Sequence, residues 1–186
     1  MSKARSLIFS LAFALLLADQ ITKWWAVAFL SDRGPINILG SFLRFNYATN
    51  PGAAFNIGSN FTIFLTIFAV IVSIGLFIFS FKIADFTWSL AFGILLGGVL
   101  GNLSDRLFRE PGFLHGHVVD FIQLPKWPIF NIADIAITSS GVLIAVLIYR
   151  NIEPFPTFGT RRDEILTQSD GQDSGEVGHE DGGEKS

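Results

Sequence analysis

Cysteine is missing altogether from the 186 residues. The chain therefore has no disulfide, no thiol nucleophile, no thiolate metal site and no acylated cysteine anchor. Charge is scarce as well: Lys, Arg, Asp and Glu together make up 16% of the residues, and the acidic ones crowd towards the C-terminus. No basic stripe with interleaved aromatics is present, which argues against nucleic acid as a partner. What fills the chain instead is apolar. Half of the residues are hydrophobic, twenty are Phe, and the mean hydropathy is +0.49. These residues come in long unbroken runs, as in a membrane protein.

Four runs are long enough to span a bilayer, which takes roughly 20 residues. They cover residues 7–30, 61–81, 88–108 and 129–149. The first begins after Lys3 and Arg5 like a secretory leader, but no small-x-small cleavage site follows and the apolar pattern resumes through Trp24, so it reads as a span. Inside it lie Asp19 and Lys23, four apart and hence on one helical face. One reading is an interfacial ion pair with Lys23 snorkelling to water; the other is a pair that shapes a polar site. The second span carries no charge. The third ends in Gly97-Gly98-Val99-Leu100-Gly101-Asn102-Leu103-Ser104-Asp105-Arg106, with a small-xxx-small spacing suited to tight helix packing. Asn102, Asp105 and Arg106 share a face there, and an Asp105–Arg106 cap and ion pair is the plain reading.

Between the first two spans, Gly34-Pro35, Gly40, Pro51-Gly52 and Gly58 punctuate strand-like pieces, the best at residues 42–47. These predict a small extramembrane sheet, with Asn50-Pro51-Gly52-Ala53-Ala54-Phe55 as a turn. After the third span, residues 116–122 read as a strand with Asp120 on one face and His115 and His117 on the other. With no HExxH and no cysteine nearby, those two histidines do not make a metal site, and no cofactor is expected. Pro125 and Pro128 then turn the chain, and Asp134 falls about one turn inside the fourth span, with Asn131 on its face. An ionisable group in an apolar span is a functional-site hypothesis by default. Asp120 and Asp134, brought together by the turn, suggest two carboxylates sharing a proton. Beyond Arg150, Pro154 and Pro156 break the helix and residues 168–186 are Gly-, Asp- and Glu-rich with little to bury, so residues 151–186 are expected to form a disordered tail.

The chain thus reads as a mainly α membrane protein. It has four transmembrane helices and a small β-cradle contributed between helices 1–2 and 3–4, in one membrane domain, residues 1–150. Lys3, Arg5, Lys82, Arg150, Arg161 and Arg162 fall on one side and Arg33, Arg44, Arg109 and Lys126 on the other. This places both termini in the cytoplasm and the acids at the outer face. A proton-coupled transporter also uses intramembrane acids, but no second polar layer completes a path. A four-helix scaffold leaves both acids unexplained, and nothing brings Ser104, Ser139 and Lys23 together for a serine peptidase.

Five motifs in order give the chain a resemblance to the bacterial lipoprotein signal peptidases. They are Asp19-Gln20 with Lys23, Asn50 with Gly52-Ala53-Ala54-Phe55, and Gly97-Gly98 through Gly101-Asn102 to Asp105-Arg106. Val119-Asp120-Phe121 and Phe130-Asn131 with Ala133-Asp134 complete the set. The resemblance spans about residues 7–150. It implies a plasma-membrane aspartyl peptidase acting on diacylglyceryl-modified prolipoproteins, with Asp120 and Asp134 catalytic, and inhibition by globomycin-type compounds. Asn50, Asn102, Asp105, Arg106 and Asn131 match the polar positions lining the family's site, and Asp19 and Lys23 its first-helix motif. With little chain outside the bilayer, substrate is expected to arrive laterally, its signal helix packed near Gly97 and Gly101.

Overall fold

Residues 3–52 and 59–155 are described by a computed structural model, with side chains at positions 59–61 excepted. Four helices account for most of them: α1 Lys3–Leu30, α2 Ser59–Ser80, α3 Phe86–Phe108 and α4 Ile132–Tyr149. All four are long and apolar enough to cross a membrane. They belong with the sheet to one compact unit, Met1–Phe155. Ala53 to Phe55 of the expected turn, and the expected tail past Phe155, lie outside the described residues.

The third helix is the hub. It packs on α1, α4 and α2, while α4 also touches α1. Glycine makes these approaches possible. A Cβ on Gly97 would stand 2.8 Å from Leu15 Cβ and 2.9 Å from the Ala12 carbonyl oxygen, and one on Gly98 2.7 Å from the Ala133 carbonyl oxygen. The glycine face near Gly97 and Gly101 is therefore filled by α1 and α4, so the expected seat for a substrate helix is taken by the protein itself. α3 begins at an Asp85 cap, whose Oδ1 accepts from the Trp88 amide at 2.9 Å.

The strands β1 Ile36–Leu39, β2 Leu43–Asn50 and β3 Val118–Gln123 form an antiparallel sheet in that order. β1 and β2 come from the α1–α2 connection and β3 from the α3–α4 connection. Along β3 the side chains alternate. Val119 and Phe121 join Ala26 and Leu30 of α1 in a buried cluster, and Trp25, Phe45 and Phe121 meet edge-on with centroids 5.4 to 6.2 Å apart. That aromatic contact pins the sheet to α1 and turns Asp120 to the opposite face. β3 starts at Val118, so His115 and His117 precede the strand instead of lying on it. The loop is drawn onto the end of α3 by the Gly116 amide donating to the Arg106 carbonyl. Any Cβ at Gly116 would run into the Asp105 carbonyl.

Candidate active site

Asn131 does not extend α4, as its spacing from Asp134 suggested; it caps the helix. The preceding Phe130 is tied to Ile122 by paired backbone hydrogen bonds, so the chain reaches Asn131 extended, and a short amide side chain there is a strong helix start. Asn131 Oδ1 accepts the Asp134 amide at 2.9 Å, and Asp134 Oδ2 accepts the Asn131 amide at 3.2 Å, a reciprocal capping box. Asp134 thus stands in the first turn of α4, where the helix dipole favours negative charge.

The same Asn131 reaches the other acid. Its Nδ2 donates to Asp120 Oδ1 at 2.6 Å, while Asn50 Nδ2 donates to Asp120 Oδ2 at 3.1 Å. Asn102 Nδ2 donates to Asp134 Oδ1 at 2.8 Å. Three asparagines from β2, α3 and the α4 cap thereby hold two carboxylates. Burial first, and then the charge of Asp134, push the Asp120 carboxyl from its ordinary 3.8 up to about 6, against the pull of the Asn131 and Asn50 hydrogen bonds and of Lys23. Asp120 is buried, whereas Asp134 is half-buried, so the pair opens on the Asp134 side.

Beneath the pair lies a second polar layer, which the sequence had not suggested, built around an enclosed lysine. Lys23 Nζ sits 2.8 Å from Asp19 Oδ2, 2.8 Å from Asp105 Oδ2 and 2.9 Å from Asn102 Oδ1, with no exposure of its side chain. Snorkelling is thereby excluded. An ammonium in hydrocarbon is tolerable only with such partners, and three acceptors match its three donors. Asp19 Oδ1 in turn accepts the Ala133 amide at 2.9 Å, closing the N-terminus of α4. Asp105 accepts from the Val119 amide at 3.1 Å and pairs with Arg109 at 2.6 Å. The expected Asp105–Arg106 pair is therefore replaced by pairs to Lys23 and Arg109, because position i+4 lies over Asp105 on the helix surface and i+1 does not. Arg106 is buried, and its Nη1 has no hydrogen-bond partner among the described residues. The charges acting on it are those of Asp120, Asp105 and Asp134.

The structure thus brings all nine expected positions together: Asn50, Asp120, Asp134, Asn131, Asn102, Arg106, Asp105, Asp19 and Lys23. Two participants were not among the expected site residues. Arg109 was legible as the i+4 partner of Asp105. Gln20, named in the first-helix motif but given no role, donates to the Gly101 carbonyl at 3.1 Å and to Asp105 Oδ1 at 3.3 Å.

Residues 11–150 match the family described as signal peptidase (SPase) II. The chain belongs to the signal peptidase II family. It is a peptidase, and a multi-pass membrane protein. Among similar proteins are the lipoprotein signal peptidases of Streptomyces griseus, 44% identical over 79% of this chain and 75% of that one, and of Leifsonia xyli, 46% identical over 76% and 66%. That of Mycobacterium tuberculosis is 37% identical over 83% and 76%. A solved structure described as a bacterial membrane enzyme superposes with a TM-score of 0.67 at 31% identity, covering 76% of this chain and 91% of that one. The four helices and three-stranded sheet thus have a counterpart in a solved bacterial membrane enzyme.

Proposed function

We propose that this signal peptidase II is an aspartyl endopeptidase that cuts diacylglyceryl-modified prolipoproteins before the lipidated cysteine, with Asp120 and Asp134 as its catalytic pair. The observation that carries the reading is the double role of Asn131, which caps Asp134 and donates to Asp120. Two neighbouring carboxylates with one raised pKa share a proton. Asp120, the more buried, holds it and polarises the scissile carbonyl. Asp134, at the start of α4, takes a proton from the attacking water. Electrons from the water oxygen form the new C–O bond, and the tetrahedral intermediate collapses by breaking its C–N bond as Asp134 passes the proton it took on to the departing nitrogen. The unpartnered Nη1 of Arg106 provides a donor for substrate or developing oxyanion charge. Asn50 and Asn102 orient the two acids, and Asp19, Lys23 and Asp105 hold the helices that present them.

In this reading both termini are cytoplasmic and the pair lies at the outer face of the plasma membrane. Residues 151–155 pack back on the start of α3, the chain past Phe155 is a cytoplasmic tail outside the catalytic domain, and globomycin-type compounds inhibit. The acyl chains of the substrate set the depth of the scissile bond at the pair, an orienting effect. Initial rates on a precursor with and without the diacylglyceryl group, in the same nanodiscs, test the reading. The lipidated form should be cut far faster; equal rates would remove the lipoprotein assignment.

A further inference from the structure

The glycine-lined face of α3 is closed by α1 and α4, so a substrate helix must seat elsewhere. α2 and α4 both pack on α3 but not substantially on each other, which leaves a lateral gap between them. Helical spacing of 3.6 residues per turn fixes what borders it. On α3, Asn102 and Arg106 continue one line of side chains upwards from Leu95 and Val99, all but Arg106 half-buried. On α4, the buried face is Ala133, Ala136, Ser140 and Leu147. Well round from it, Thr138, Gly141 and Ala145 run below Asp134 at steps of four, three and four residues. All three are exposed, and a Cβ on Gly141 would meet nothing within 4 Å.

From this geometry we infer that the signal helix of the substrate docks in the α2–α4 gap, against Thr138, Gly141 and Ala145 of α4 and Leu95 and Val99 of α3. The inference rests on the reading of the substrate as a precursor carrying its own membrane helix. Small residues at this spacing let a second helix approach closely in lipid, and their line leads up to the half-buried Asp134. At the head of the α3 line stands Arg106, 9% exposed, its Nη1 without a partner among the described residues. It would meet peptide groups where the signal helix unwinds before the scissile bond. The competing groove, a cavity of about 410 Å³ between α1, α2 and α3, is lined by bulky Phe9, Phe13, Leu16, Phe77 and Leu100. One turn above its Leu16, Gln20 of α1 bridges to the Gly101 carbonyl of α3, so that seam stands between this groove and the acids.

The natural absence of cysteine makes the test clean. Single variants Gly141→Cys, Ala145→Cys and Phe13→Cys are paired with a precursor carrying one cysteine within its signal helix, and disulfides are scored in nanodiscs. Crosslinks at 141 and 145, with none at 13, are expected; crosslinking at 13 with none at 141 or 145 overturns the proposal. In parallel, Gly141→Leu should lower kcat/KM for the full precursor about tenfold, chiefly through KM. Hydrolysis of a short acylated peptide lacking the signal helix should stay unchanged. Gly75→Leu, on the side of α2 away from buried Thr62, Thr66 and Ser73, should affect neither. Equal losses on both substrates, or none on the precursor, overturn the docking site. Crosslinks form on binding alone, so a precursor captured at Gly141 yet left uncut would break the catalytic reading and keep the docking surface.

Discussion

Lys23 Nζ and Asp105 Oδ2 stand 2.8 Å apart with neither side chain exposed, and this buried pair joins the first helix to the third beneath Asp120 and Asp134. Its energetic sign is set by what happens when one partner goes. A buried pair is of modest net value when intact, but removing one member strands the other and costs about 3–5 kcal/mol. Lys23→Ala leaves both Asp19 and Asp105 without their ammonium. We expect a fall in melting temperature in detergent and loss of cleavage. Lys23→Ala combined with Asp19→Asn should recover part of the lost stability, since Asp19 is the acid left without a cation while Asp105 keeps Arg109. A single variant as stable as the parent protein would contradict the structural role assigned to Lys23.

Asp120→Asn and Asp134→Asn should each abolish turnover while the protein remains folded. An amide keeps one acceptor oxygen, so Asn at 134 can still accept the Asn131 amide and Asn at 120 can still accept from Asn50, at the loss of the second hydrogen bond from Asn102 or Asn131. Neither can share a proton. Asn131→Ala should lower kcat by about 10²–10³-fold, on the scale of losing a positioned donor, and should also weaken the start of α4. Near-normal turnover by either purified Asp variant would exclude the catalytic pair.

Stability should respond to pH through Asp120. The folded protein holds this proton more tightly than the unfolded chain, because the carboxyl is raised from 3.8 to about 6 on folding. The stabilisation is fully present below the unfolded value and is lost as pH rises through the folded one. Melting curves of the parent protein and of Asp120→Asn, compared from pH 4 to pH 7, should show the parent losing stability relative to the variant up to about pH 6 and levelling beyond it. A constant gap across this range would mean that Asp120 ionises as freely as in the unfolded chain.

Metal removal should leave the reaction untouched. The two acids are held by amide donors, and among the described residues no group of three or more His, Cys, Asp and Glu is placed to hold a metal. Turnover in EDTA should equal turnover without it; loss with EDTA and rescue by zinc would bring His115 and His117 back into the mechanism.

Much of this molecule is written in its sequence because the bilayer permits so few solutions. With no water to satisfy backbone groups, runs of about 20 apolar residues must be helices, so four spans follow from composition. Acids kept in such surroundings announce themselves by their cost, which is why Asp19, Asp105, Asp120 and Asp134 stood out before any fold was known. Partners were another matter. Periodicity on one helix left Lys23 either at the interface or shaping a polar site and joined Asp105 to Arg106; the packing of α1 on α3 buried Lys23 between two acids and passed Asp105 to Arg109. Asn131 looked like a residue of α4 and became its cap, because the Phe130–Ile122 pairing of backbone groups delivers the chain extended. The glycines of α3 marked a helix contact correctly, but only the fold shows that α1 and α4 fill it. Local sequence determines which groups are too costly to leave alone. Which group satisfies which is decided by distances between elements far apart in the chain, and those exist only in the folded protein.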